Sequence, residues 1–325
     1  MVIKNTGNTN IIFMGTPEFA VPSLQALSEE GYNLAGVVTQ PDRPKGRGRK
    51  LAFSPVKEAA LELKLEVFQP ARIRDEGFNE QIKLLNPDLI VVVAFGQILP
   101  ASILDLPPLG CINVHASLLP SYRGAAPIHR AILNGETESG VTTMLMDKGL
   151  DTGDILLKEK VVIPEDMTFG ELHDILALKG AALLLKTVEL WKEKKIEPLS
   201  QKGLPASYAP LLKREDELIL WENPVTKIYN QIRGLEPWPG AYTYFKGTTL
   251  KIRRAEIYNK TGGGLSPGTV VSLVKGKGFV VQTGQGRLLV SAVQPYGKNI
   301  MTAGSFVNGY RLCEGYRFNS CQSGE

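Results

Sequence analysis

Cysteine and histidine are both scarce, and each scarcity excludes a class of chemistry. The 325 residues hold three cysteines, Cys111, Cys313 and Cys321, at spacings that make neither a paired metal site nor a disulfide framework. Cys111 lies in an apolar stretch and reads as a small buried hydrophobe. Cys313 and Cys321 are near enough in sequence to pair, but in a reducing compartment free thiols are expected. The three histidines, His115, His129 and His173, are too few for a His-rich metal site, so the expected chemistry is metal-free. His129 and His173 fall in helical patterns and read as packing or surface residues. No apolar run approaches the roughly 20 residues of a membrane helix. The first residues, with Lys4 ahead of the polar run Asn5 to Asn10, lack the basic-then-apolar build of a signal peptide. Together these absences point to a cytoplasmic protein. Internal repeats and low-complexity tracts are also missing.

What is present is ordinary for a globular chain: 43% hydrophobic and 22% charged residues. At roughly 150 residues per domain, two cores are expected. Charge is unevenly shared. Up to residue 212 there are 22 basic and 25 acidic residues, and beyond it 15 basic and 8 acidic, so a net −3 is followed by a net +7. A polyanionic partner for the C-terminal part fits this asymmetry, and so does a solvated basic surface.

Asn10 to Met14 reads as a short strand, broken by Gly15-Thr16-Pro17 ahead of a helical pattern from Phe19 to Leu27. Further strands read at Leu34 to Thr39, Leu89 to Ala94 and Gly110 to Val114, with helical stretches at Val56 to Leu63 and Phe78 to Leu85. This alternation implies parallel βαβ units and a Rossmann-like, doubly wound α/β sheet. Val141 to Met146 and Ile155 to Val162 read as strands closing the sheet with an antiparallel pair, and Phe169 to Glu193 as one long helix or a broken pair. A catalytic domain thus spans 1–194, an exposed, proline-containing linker 195–212, and a smaller domain 213–325. In that last part a helix at Pro224 to Arg233 precedes short strands at Ala241 to Phe245, Leu250 to Ile257, Gly268 to Val274, Gly278 to Gln282 and Arg287 to Gln294, the spacing of an OB-like β-barrel.

Strand alternation puts Asn113 and His115 on one face, at the carboxyl end of a parallel strand where open α/β sheets bind ligands. Such a pair is catalytic in some proteins and a structural hydrogen-bonded pair in others. The following loop, Ser117 to Pro127, is longer than a plain connection needs. Gly149-Leu150-Asp151-Thr152-Gly153-Asp154 offers carboxylates on a tight turn, one of which could face the imidazole. The stretch Asp42 to Lys50, with Arg43, Lys45, Arg47, Arg49 and Lys50, reads as a flexible basic loop suited to phosphates or as a solvated surface loop. A dinucleotide site is not supported, since G-x-G-x-x-G is absent after the first strand.

Asn113, His115 two residues later and Asp151 within a Leu-Asp-x-Gly turn match the signature of the folate-dependent formyltransferases. The chain resembles that family over nearly its whole length, in Gly15-Thr16-Pro17-Glu18-Phe19-Ala20, Thr39-Gln40-Pro41-Asp42-Arg43-Pro44, Ser117-Leu118-Leu119-Pro120 and Leu235-Glu236-Pro237-Trp238-Pro239-Gly240. The likeness fades after about Met301. The resemblance implies a monomeric enzyme that takes a formyl group from 10-formyltetrahydrofolate, without a metal, to the α-amino group of methionyl initiator tRNA. Alternative acceptors are an aminosugar nucleotide, a purine precursor or water. It implies that Asn113 orients the formyl oxygen, that His115 stabilises the oxyanion, and that Asp151 raises the proton affinity of His115 and shuttles a proton. It further implies that Ser117, Leu118, Leu119 and Pro120 line the folate site, with both leucines near the pterin. The basic loop would enter the tRNA acceptor end, with Arg47 as its main contact.

Overall fold

The computed structural model describes residues 9–45 and 50–319. The chain divides into two compact units, Met1–Pro127 with Glu138–Val162 and His173–Ala209, and Ile128–Thr137 with Ile163–Leu172 and Pro210–Glu325.

The strands of the first unit are β1 (Asn10–Gly15), β2 (Asn33–Val38), β3 (Arg43–Lys45), β4 (Lys50–Ala52), β5 (Val67–Phe68), β6 (Leu89–Val93), β7 (Cys111–His115), β8 (Glu138–Leu145) and β9 (Ile155–Val162). Among the described residues one sheet runs β5-β2-β1-β6-β7-β8-β9. It is parallel from β5 to β7 and closes with the antiparallel strands β8 and β9, as the sequence pattern implies. The strands β6 and β7 are buried at every position, because a parallel sheet with helices on both faces has no wet side. The chain leaves β1 for β2 on one side and returns to β6 on the other, so the crevice beyond β1 and β6 is the topological switch point. Gly15 makes the turn there possible, since a Cβ at this position would lie 2.8 Å from the Phe13 ring and 2.9 Å from Ala20 Cβ.

Helix starts follow local chemistry. Ser54 caps Pro55–Glu62 by accepting from Lys57 N, and Asp75 caps Glu76–Leu84 by accepting from Phe78 N. The edge strand β5 is an addition to the expected set. The basic stretch is also more ordered at its base than a plain loop: β3 and β4 pair antiparallel, Arg43 against Ala52 and Lys45 against Lys50. Arg47 and Arg49 lie outside the described residues. Phe169–Lys192 is one helix rather than a broken pair. At Gly180 it comes so close to β7 that a Cβ would meet Val114 Cγ1 at 2.9 Å.

The second unit holds β10 (Tyr242–Phe245), β11 (Thr248–Asn259), β12 (Val270–Val274), β13 (Gly278–Gln282), β14 (Arg287–Pro295) and β15 (Met301–Thr302). They form an antiparallel sheet in the order β10-β11-β14-β13-β12, with β15 against β14. Residues 317–319 bridge Thr269, beside β12, and Tyr244 of β10, so the sheet is drawn round into a barrel. Inside lie Trp221, Phe245, Phe279, Phe306 and Phe318. The helix Val225–Gly234 lies where expected, and Ala303–Tyr310 is a further helix that the sequence pattern did not announce. Among the described residues no helix is long and apolar enough to cross a membrane.

Candidate functional site

Asn113 pairs with Val92 of β6 and Met144 of β8, and His115 with Thr142 of β8, so the rigid centre of the sheet sets both side chains. They are 8% and 6% exposed. The turn between β8 and β9 brings Asp151 to the ring: its Oδ2 lies 3.6 Å from His115 Nδ1. The same oxygen accepts from the backbone N–H of Gly124 at 2.8 Å. His115 Nε2 lies 3.0 Å from the Tyr122 carbonyl. Both ring nitrogens thus face oxygen atoms of neighbouring groups. The residues Asn113, His115 and Asp151 come together at one end of β7.

The turn has tight requirements. Asp147 Oδ1 accepts from Gly149 N and Thr152 Oγ1, closing its base. Asp151 stands at φ +52, a left-handed backbone rarely adopted by a residue with a side chain. Gly153 is pressed against β8, for a Cβ there would lie 1.7 Å from the Leu145 carbonyl oxygen. Gly153→Ala is therefore expected to force the turn open at a cost of roughly 1–3 kcal/mol, the range of an overpacked site. Denaturant unfolding checks this, and an unchanged midpoint would show that the turn relaxes freely.

The segment Ser117–Pro120, expected to line a ligand site, is largely engaged within the protein. Leu119 is fully buried against Met144 and Ile155, so it has no surface for a ligand. Leu118 lies over Gly140, where a Cβ would meet its Cδ2 at 2.5 Å, and stays half-buried, as does Pro120. The backbone is also committed: Thr142 Oγ1 donates to Ser117 O and accepts from Leu119 N, while Ser117 Oγ donates to Ser121 O. Lys158 donates to Leu119 O, and burial holds this ammonium below its ordinary pKa. Thus Leu118 and Pro120 are the members with surface left for a ligand.

A cleft of about 440 Å³ opens at the carboxyl ends of β1, β2 and β6. Its walls include Pro17, Gln40, Phe53 and Phe95, with Arg43 from the basic set. Asn113, His115 and Asp151 do not line it; they stand at the end of the neighbouring strand β7, so the cleft and the polar cluster share one edge of the sheet. Asp42 forms the root of the basic hairpin. Its carboxylate is held below its ordinary pKa by hydrogen bonds from Lys57 and Gln69.

Two buried residues that sequence reasoning did not single out complete the cluster. Arg123 donates to Gln201 Oε1, and Gln201 Nε2 donates to the carbonyls of Asp151 and Gly153. Gln201 belongs to a polar, proline-flanked stretch that reads as exposed, and no periodicity marks it. Cys111 is buried, as expected, and burial pushes its thiol up to about 12. His129 stacks on Phe169 at 3.6 Å, and His173 bonds Asp174 at 2.8 Å.

A family model described as formyl transferase matches residues 9–188, and one described as formyl transferase, C-terminal domain, matches residues 211–311. The chain is 54% identical to the methionyl-tRNA formyltransferase of Pelotomaculum thermopropionicum over 305 residues, 94% of this chain and 97% of that protein. It is 56% identical to the methionyl-tRNA formyltransferase of Moorella thermoacetica over the same shares. Among solved structures it resembles an N-formyltransferase from Helicobacter canadensis in complex with folinic acid and dTDP-3-aminofucose, with a TM-score of 0.66 at 21% identity over 89% of this chain and all of that one. It also resembles a methionyl-tRNA formyltransferase from Clostridium thermocellum, with a TM-score of 0.55 at 20% identity over 90% of this chain and all of that one. At such identities these two likenesses speak to the fold.

Proposed function

This chain belongs to the formyl transferase family, and on that premise we propose that it moves the formyl group of 10-formyltetrahydrofolate to the α-amino group of methionyl initiator tRNA. The observation that carries this acceptor is identity above one half, over 94% of the chain, to proteins named for it. The charge distribution agrees, because a small acceptor needs neither a basic hairpin nor a C-terminal part of net +7. The reaction is cytoplasmic in this reading, and the chain acts as a monomer.

The amine attacks the formyl carbon, and negative charge grows on the formyl oxygen. Asn113 Nδ2 donates to that oxygen. His115 supplies the second donor once its ring gives up the Tyr122 carbonyl for the entering substrate. Asp151 faces the ring, and its second oxygen takes the proton that the amine sheds, directly or through water. The tetrahedral species then collapses as the bond from the formyl carbon to the folate N10 breaks and N10 takes the proton held by Asp151, so neither a covalent enzyme intermediate nor a metal is needed. Folate lies along Ser117–Pro120, against the free surfaces of Leu118 and Pro120.

The deciding experiment offers labelled 10-formyltetrahydrofolate with charged initiator tRNA, charged elongator tRNA, or no acceptor. Label on initiator methionine supports the reading, and label going to water or to a sugar nucleotide removes it. In this scheme Arg43, Lys45, Arg47, Arg49 and Lys50 meet the acceptor end. Arg47→Ala is expected to raise KM for tRNA several-fold and to flatten its salt dependence by about one phosphate contact, with KM for folate unchanged. Steady-state kinetics at two salt concentrations reads both effects.

A further inference from the structure

The side-chain amide of Gln201 lies behind the turn that carries Asp151, and it is saturated. Its Nε2 donates to the Asp151 carbonyl at 3.1 Å and to the Gly153 carbonyl at 2.6 Å. Its Oε1 accepts from Arg123 Nη2 at 2.8 Å and Nε at 3.3 Å. An amide has two donor hydrogens and an oxygen with two lone pairs, and all four are used. The partners also fix its orientation. A guanidinium only donates, so it meets Oε1, and two carbonyls only accept, so they meet Nε2. Gln201 is 3% and Arg123 7% exposed, so bulk water does not compete for these bonds. The cation on Oε1 polarises the amide and strengthens what Nε2 gives.

We propose that Gln201, backed by Arg123, is a positioning residue for formyl transfer: it holds the Asp151 turn in the left-handed form that sets the carboxylate against His115. The proposal rests on the reading of Asp151 as the partner of His115. A residue at φ +52 stays there only where its surroundings over-determine it. Here Gly124 N–H holds the side chain while Gln201 holds the carbonyls of residues 151 and 153. The rest of the segment is laced to the same place. Leu199 exchanges two hydrogen bonds with Ile155 of β9, and Ser207 and Ala209 bond Arg123 on the far side of the cluster. The strip from Leu199 to Ala209 is thus a wall of the site as well as a connection.

The test uses the full chain carrying Gln201→Glu, which keeps the length of the side chain and an acceptor for Arg123 but presents oxygen where two donor hydrogens stood. Gln201→Met removes both sets of bonds without adding charge. Initial rates give kcat and the KM values for 10-formyltetrahydrofolate and for charged initiator tRNA, with thermal melting alongside and Asp151→Asn as reference. A displacement near 1 Å at a reacting group costs on the order of 100-fold, so kcat is expected to fall ~10- to 100-fold with both KM values nearly unchanged. Folded Gln201 variants with wild-type kcat, beside an impaired Asp151→Asn, overturn the proposal alone. So does a raised KM at unchanged kcat, which would make the residue part of a binding wall. Wild-type rates in Asp151→Asn instead remove the reading beneath it. Should both Gln201 variants melt below the assay temperature, Arg123→Lys carries the test, since it leaves Oε1 a single donor. An intermediate kcat at constant KM then supports the proposal, and a wild-type kcat overturns it.

Discussion

Asp151→Asn will lower kcat by about 10²- to 10⁴-fold, the range in which a positioned proton carrier acts, and will leave the melting temperature close to that of the parent. The expected separation of activity from stability follows from what each atom does. Asp151 Oδ2 accepts from Gly124 N–H, and an amide oxygen can keep that bond. The amide lacks a negative charge toward His115 Nδ1 at 3.6 Å and has no lone pair basic enough to take a proton from an amine. The fold thus retains its hydrogen bond while the reaction loses its proposed base. Asp151→Ala would blur the two, because it also frees the Gly124 N–H and a left-handed position. His115→Ala belongs to the same unit, so the double variant will lose little more than either single one. Single-turnover formylation measured beside thermal melting is the check, and a wild-type rate in Asp151→Asn would falsify the mechanism.

The second large effect is expected at Asn113. In the proposed mechanism Asn113→Ala removes a donor to the developing oxyanion, a loss that typically costs ~10²–10³ in kcat. The donor acts in that scheme from a strand that does not reorganise during the reaction. Its strand is flanked by β6 and β8 and buried at every position. The contact strengthens in the transition state, so kcat and kcat/KM should fall together while KM stays level. A variant in which KM alone rises would make Asn113 a binding residue for the ground state. Asn113→Asp is the sharper companion, since it keeps the shape and places a charge where negative charge must grow.

How much of this was legible from residues alone differs from element to element. The wound sheet was legible because β1, β6 and β7 are short apolar runs between breaks, and only burial on both faces demands such runs. The two-residue β5 was not, since Val67 and Phe68 carry no period. The hairpin under the basic stretch was hidden too: Arg43-Pro44-Lys45 lacks apolar alternation, and main-chain pairing with residues 50–52 forms it instead. Ala303–Tyr310, with two glycines, is a poor helix by propensity; the Thr302 cap and the burial of Phe306 among the barrel aromatics make it. At the site, strand alternation put Asn113 and His115 on one face, the turn around Gly149 and Gly153 offered carboxylates to the ring, and the family resemblance singled out Asp151. The Arg123 and Gln201 pair had no such herald, because a buried polar bridge between distant segments leaves no local pattern. The burial of Leu119 beside Met144 and Ile155 was hidden for the converse reason: an apolar residue in a loop looks the same whether it serves a ligand or the core.

The manner in which the C-terminal barrel is closed bears on the order in which this chain is made. Its strands β10 to β15 are all synthesised before residues 317–319 can bridge β10 and the start of β12. Until then the nascent sheet carries an open rim at β12 and one at β10 that Leu218 bridges only at Tyr242, each a template for a strand from another chain. The interval is brief at translation rates of roughly 5–20 residues per second, but it recurs in every copy, and polysomes hold many copies side by side. Those few closing residues, beyond the end of the matched C-terminal family model at residue 311, therefore turn a sticky nascent sheet into a finished one.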